Sequence, residues 1–193
     1  VDTTEEVERP GKKPATVRRN ILLSRPDRVA AAGRAGSVVK KFWYDGKTVT
    51  TYDDSRKVYS TVEAPGTIAA MLAMLQDDYG VTIPLTDLLL PDLCETLSPV
   101  LDTMEYALVE KIAGRECHKV TLMTEDYYAQ LWIDADAAAP LPRKLDVQYF
   151  TADKKPRYVA VINKWEAKNA IAPEQFVFKA PEGTTKIEML KRE

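Results

Sequence analysis

Most of the chain alternates apolar and polar residues with period 2, the mark of half-buried β-strands, whose successive side chains point to opposite faces. Toward the C-terminal half, Leu145, Val147 and Tyr149 fall on one face while Lys144, Asp146 and Gln148 fall on the other. Tyr127, Ala129, Leu131 and Ile133 share a face in the strand before it. In the strand after it, Val159, Val161 and Trp165 oppose Tyr158, Ala160, Ile162 and Lys164, so its middle is apolar on both sides, as in a central strand covered twice. Turn signals separate these runs at Arg9-Pro10-Gly11-Lys12, Asp45-Gly46, Asp53-Asp54-Ser55-Arg56, Gly114 and Asp153 to Pro156. Connections this short predict antiparallel neighbours in sequence order rather than βαβ units.

The alternation breaks once, between Pro65 and about Pro99. Ile68 to Leu75 is an unbroken apolar run with Thr67 placed as N-cap and Gly80 as a C-terminal stop. Leu85 to Leu90 predicts a second short apolar helix, and Asp92-Leu93-Cys94-Glu95 has capping-box spacing for a third. A helical turn near Pro173 to Phe176 precedes a last strand-like stretch, Lys186 to Leu190. The helix that starts at Ile68 is apolar on every side and too short to cross a membrane, so it requires cover. The packing solution is a mainly β (α+β) fold: a curved antiparallel sheet forming an incomplete, half β-barrel, with the helical insert in its concave face. One domain is expected, with strands over about 1–63, a helical plug over about 65–99, strands over about 103–167 and a C-terminal turn and strand over about 173–190.

Composition narrows the function classes. The 193 residues carry 27 Lys and Arg against 29 Asp and Glu, spread along the chain, with a formal net charge of -2. No basic stripe interleaves with aromatics, which argues against nucleic-acid binding. No run of about 18 apolar residues occurs, so a transmembrane span is not expected. The chain begins at Val1, without a charged n-region or apolar h-region; either a leader was removed or the chain was trimmed. Cys94 and Cys117 lack C-x-x-C spacing, which argues against zinc and thioredoxin-type chemistry. Two readings stay open for them: separate buried thiols, or a disulfide tying the helical region to a strand.

Candidate chemistry is sparse. His118 is the sole histidine, and as a strand neighbour of Cys117 it points to the opposite face, which forbids a dyad. Asp53-Asp54, Asp77-Asp78 and Glu125-Asp126 fall at expected turns or helix ends, where they read as solvated turn residues. Asp134 and Asp136 lack the glycine and distal glutamate of a calcium loop. No nucleophile elbow, zincin, dinucleotide or phosphate loop occurs, so neither an enzyme nor a cofactor or metal site is expected.

Several ordered motifs carry a family resemblance: RPDRV from Arg25 to Val29, FWYDGKTVTTYD, VYSTVEAPGTIAAML, GRECH and LPRKLDVQY. Together they resemble a bacterial family of predicted periplasmic proteins of unknown function, itself similar to the lipoprotein-localisation-factor superfamily typified by LolA, LolB and RseB. The resemblance covers about Arg25 to Leu190. It implies a periplasmic location, reached through a removed signal or as a lipid-anchored precursor, and an apolar cavity between half-barrel and plug. It also implies a non-enzymatic binder of a lipid acyl chain or lipoprotein anchor or, as the alternative, an envelope protein-interaction or sensor module with a filled cavity. Two departures stand out: no helix precedes the first strand, and His118 is followed by Lys119 where the family often has a second histidine. On this reading Trp43, Ile68, Met71, Leu72, Met74, Leu75, Leu88 and Leu89 line the cavity.

Overall fold

The computed structural model describes residues 1–81, 95, 98–136, 138, 140–150, 155–167 and 170–192. The second and third expected helices, with Leu88, Leu89 and Cys94, lie outside the described residues. The protein is mainly β. Its strands are β1 (Asp2–Glu8), β2 (Ala15–Ser24), β3 (Arg28–Ala35), β4 (Val38–Tyr44), β5 (Thr48–Asp53), β6 (Val58–Glu63), β7 (Thr103–Ile112), β8 (Arg115–Met123), β9 (Tyr127–Asp134), β10 (Pro142–Tyr149), β11 (Arg157–Lys164) and β12 (Thr185–Lys186). One α-helix, α1 (Ile68–Tyr79), is found among the described residues, with 3-10 turns at Ser98–Val100 and Pro173–Phe176.

The twelve strands pair in the order β12-β6-β5-β4-β3-β2-β1-β11-β10-β9-β8-β7. Most neighbours are antiparallel, as the short turns require, whereas β12 runs parallel to β6. Contacts gather into two compact units, Val1–Arg19 with Cys94–Glu166 and Asn20–Leu93 with Ala167–Glu193. These are called the β7 unit and the α1 unit.

Among the described residues the turns form where the sequence places them; Asp153 and Lys154 of the turn expected before Pro156 lie outside those residues. Asp45 closes the β4–β5 hairpin by accepting the N–H groups of Lys47 and Thr48 at 3.0 and 2.8 Å. Gly46 sits at φ 90°, a conformation natural to glycine. Asp53 does the same for Ser55 and Arg56 at the next turn. Between β7 and β8, Ala113 and Gly114 both have positive φ, 49° and 81°, the signature of a two-residue type I′ hairpin. One expected element is corrected: the last strand covers Thr185–Lys186 rather than Lys186 to Leu190. Past Ile187 the chain leaves β6 for the end of α1, where the Arg192 N–H donates to Asp78 O at 2.7 Å.

In the β7 unit, Leu122, Ala129 and Val147 form a buried cluster, flanked by Val120, Tyr127, Leu145 and Tyr149. Pairing puts Tyr158, Ala160 and Ile162 of β11, all buried, on the same face. Thr3 and Glu5 of β1 join them through Ile162 and Ala160. Glu5 is 1% exposed there and is held by Arg19, with two guanidinium–carboxylate contacts of 2.9 Å, and by the Thr3 hydroxyl at 2.8 Å. The nearby Tyr158 hydroxyl is buried and finds no hydrogen-bond partner among the described residues. Burial first, and then the Glu5 charge, push its pKa upward.

On the other face of the β7 unit, Asp134 is gripped by Arg143 at 2.7 and 2.9 Å and by Arg115 at 3.3 Å. Two guanidiniums thus occupy the carboxylate that the sequence left as a weak calcium candidate. The Asp136 N–H, then the Arg143 guanidinium, hold the Asp134 carboxyl below its ordinary 3.8. A carboxyl with a depressed folded pKa adds stability above its unfolded pKa and loses it as pH falls through the folded value. Asp134→Asn should therefore lower the melting temperature at neutral pH and flatten its decline below about pH 4. Melting curves that fall in parallel for both proteins down to about pH 2 would refute this assignment.

Candidate functional site

Among its described residues the α1 unit has one short helix, α1. The Thr67 hydroxyl caps it by accepting the Ala70 N–H at 3.2 Å. Gly80 stops it at φ 63°, with its N–H on Gln76 O at 3.0 Å and the Val81 N–H on Leu75 O at 2.9 Å. The all-round apolarity resolves into a stripe. Ile68, Met71 and Leu75 are 1–2% exposed, Leu72 and Met74 are half-buried, and Ala69 and Ala73 face outward. Alanine on the outer side needs no cover: it has little apolar surface and the best helix propensity.

The sheet of this unit has two covered faces, and they separate neighbours in sequence. The Tyr44 hydroxyl donates to Pro65 O, on the segment that leads into α1, and Ile68 N–H donates to Pro26 O at 3.0 Å. Pairing puts Val29, Tyr44, Val49 and Val62 on that face, and the first three are at most 3% exposed. The opposite face carries Ala30, Trp43, Thr50, Tyr52, Tyr59 and Thr61. There Phe178 packs against Trp43, Tyr59 and Tyr52, with centroids 5.0, 4.9 and 5.9 Å away. A space of about 150 Å³ remains between this face and Phe176, Val177 and Phe178. Trp43 is thus brought to the C-terminal segment, while the segment leading into α1 meets the Tyr44 side.

The larger opening of this unit lies where α1 ends. An open groove of about 700 Å³ runs between Thr61 and Val62 of β6, Tyr79 of α1 and residues 186–191. The tail that walls it is pinned at both ends. The Ile187 N–H donates to Tyr59 O at 2.8 Å, and Lys191 Nζ reaches the Asp78 carboxylate at 2.8 Å while lying 5.8 Å from the centre of the Tyr79 ring. Between the pins, Ile187 and Leu190 are 47% and 78% exposed. Apolar walls thus come from Val62, Tyr79, Ile187, Met189 and Leu190, with Lys186, Glu188 and Lys191 among them. The groove's described lining residues present surface for apolar burial.

Of the residues named from sequence, α1 brings Ile68, Met71 and Leu75 together in its packed stripe, and none of the helix's named residues lines the groove. Cys117 is buried, and burial followed by the Asp134 charge pushes its thiol pKa up. Its Sγ donates to Arg115 O at 3.6 Å, and its pairing with Cys94 stays an expectation. Sequence reasoning missed the tail and the Phe176–Phe178 cover. The available signal was the pair of aromatics two residues apart after Pro173, apolar enough to seek a face.

Comparison with solved structures finds relatives at low identity. An uncharacterised conserved protein from Thermus thermophilus is 9% identical, with 97% of this chain and 90% of that one covered at a TM-score of 0.49. The lipoprotein LppX of Mycobacterium tuberculosis is 16% identical, with 83% of each chain covered at 0.44. A LolA superfamily protein from Nitrosomonas europaea is 9% identical, with 92% and 89% covered at 0.40. No curated protein matches the chain. No described helix is long and apolar enough to cross a membrane. A family match spans residues 1–190, and the chain belongs to that family, the predicted periplasmic proteins DUF2092.

Proposed function

We propose that this protein is a non-enzymatic periplasmic binder of an apolar chain, a lipid acyl chain or lipoprotein anchor, held in the α1 unit. The groove at the end of α1 carries the reading. Its volume of about 700 Å³ lies in the range of ligand sites, and Val62, Tyr79, Ile187, Met189 and Leu190 give it apolar wall between the charged side chains of the tail. Binding there derives from burial, at about 0.8 kcal/mol per methylene, with no covalent step.

The test combines native mass spectrometry of the purified protein with displacement of an apolar fluorescent probe by fatty acids. Leu190→Glu is expected to weaken fatty-acid binding about tenfold, a loss of about 1.4 kcal/mol, because it puts a charge in the wall. Leu190 is 78% exposed, so the melting temperature should hold. A protein that carries no lipid, and whose probe fatty acids do not displace, would end the proposal. A second reading, an envelope protein-interaction module, draws support from the exposed apolar residues of β7.

A further inference from the structure

The β7 unit ends in an edge strand that natural sheets rarely leave open. β7 is 10 residues long and last in the pairing order, with β8 as its neighbour among the described residues. Met104, Tyr106, Leu108 and Val109 are 65%, 62%, 44% and 49% exposed. A long, exposed, apolar edge is a template for another strand unless something blunts it. Here the blunting is one bulge, between Tyr106 and Leu108, and three charged side chains, Glu105, Glu110 and Lys111, which leave the apolar row of Met104, Tyr106 and Val109 exposed.

The hairpin tells which backbone groups point outward. In a two-residue type I′ hairpin the residues flanking the turn, Ile112 and Arg115, exchange both hydrogen bonds. Alternation then turns Glu110 and Leu108 inward to β8 and, past the bulge, Glu105 and Thr103. The N–H and C=O groups of Met104, Tyr106, Val109 and Lys111 point away from the sheet. Their side chains share the face of Val120 and Leu122, whereas Glu105, Leu108 and Glu110 share the other.

We infer that β7 docks an extended strand of a partner protein, with apolar residues on one face and Lys or Arg on the other. The outward row of alternating donors and acceptors calls for a polypeptide, since an acyl chain offers none. Charge selects among polypeptides. In the antiparallel register that aligns outward groups on both sides of the bulge, a second copy of β7 sets Glu105 against Glu110 twice, and like charges directly opposite destabilise. A partner with basic residues four positions apart meets both carboxylates. Its intervening first and third residues then lie opposite Val109 and Tyr106, and the residue after the second basic one lies opposite Met104. This inference goes beyond the apolar-chain reading: it concerns the other unit and stands if the groove binds nothing.

The experiment titrates the full chain with a blocked peptide containing Lys-Val-Thr-Val-Lys-Val and follows amide hydrogen exchange. Protection is expected at the amides of Met104, Tyr106, Val109 and Lys111, and a peptide with Glu in place of both Lys should bind about tenfold more weakly. Val109→Pro removes an outward N–H without breaking a β7–β8 hydrogen bond, so it should abolish the protection while the melting temperature holds. Should that variant unfold, Glu105→Lys serves instead and should cancel the preference between the two peptides, since each then meets one like and one opposite charge. Equal binding of both peptides by the unsubstituted chain, protection elsewhere, or no binding at millimolar peptide would overturn the inference. So would a dimer in sedimentation without peptide, which would give the edge to a second copy.

Discussion

Phe176→Ala is expected to destabilise the protein by about 3–5 kcal/mol, the range for truncating a fully buried aromatic. Phe176 is 1% exposed in the Pro173–Phe176 turn and borders the space of about 150 Å³ that also touches Trp43, Thr50 and Thr61. Removing the ring merges its volume with that space, and the surrounding strands relax only partly. The loss propagates to the next aromatic, because Phe178 keeps its place over Trp43 and Tyr59 only while the turn before it is seated. Urea unfolding followed by tryptophan emission measures both effects, a lower midpoint and a native spectrum shifted to the red as Trp43 meets water. Val177→Ala, at a residue 44% exposed in the same segment, should stay within about 0.5 kcal/mol. A Phe176→Ala protein with the wild-type midpoint would show that the segment does not cover the face.

Glu5→Ala should cost about as much, roughly 3–5 kcal/mol, by a different route. Glu5 is 1% exposed, and both its oxygens are taken by Arg19, whose side chain is 20% exposed. Removing the carboxylate leaves a guanidinium largely desolvated without its counter-charge, and the Thr3 hydroxyl loses the nearer of its two acceptors, keeping only Arg19 O at 3.4 Å. Replacing both partners by apolar residues of similar size, Glu5→Leu with Arg19→Met, removes the charge problem altogether. The double variant should therefore recover most of the loss. Denaturant melts of the two single variants and the double one form a cycle. Additive losses would mean that the two side chains stabilise the fold independently, contrary to the geometry.

Much of the local structure was legible because its causes are local. Thr67 and Gly80 bound α1 as their chemistry requires, and Asp45-Gly46, Asp53 to Arg56 and Gly114 turn the chain as anticipated. The face sets of β10 and β11 also hold, since a strand's alternation is a property of its own backbone. Alternation says which residues share a face, however, and not what covers that face. Trp43 and Tyr44 differ by one position, and only the pairing and the packed segments assign one to Phe178 and the other to Pro65. The apolar run from Ile68 to Leu75 misled in a related way, because three of its eight residues are alanines, which add little apolar area and tolerate water.

The functional surfaces depend still more on distance along the chain. The groove joins Thr61 and Val62 to Tyr79 and to residues 186–191, and nothing within any one of those stretches announces the others. β7 is similar: its sequence predicts a strand, but its place at the end of the pairing order follows from which strands β1 and β11 bring together. By itself, the sequence determined most of the described strands, α1 with its caps, the described turns, the alternating faces, the predominance of antiparallel pairing and the family. Each follows from interactions among residues a few positions apart, or from motifs in order. The tertiary structure alone decided which face each segment covers, where the tail pins itself and which strand edge stays open, because these are contacts between residues far apart in the chain.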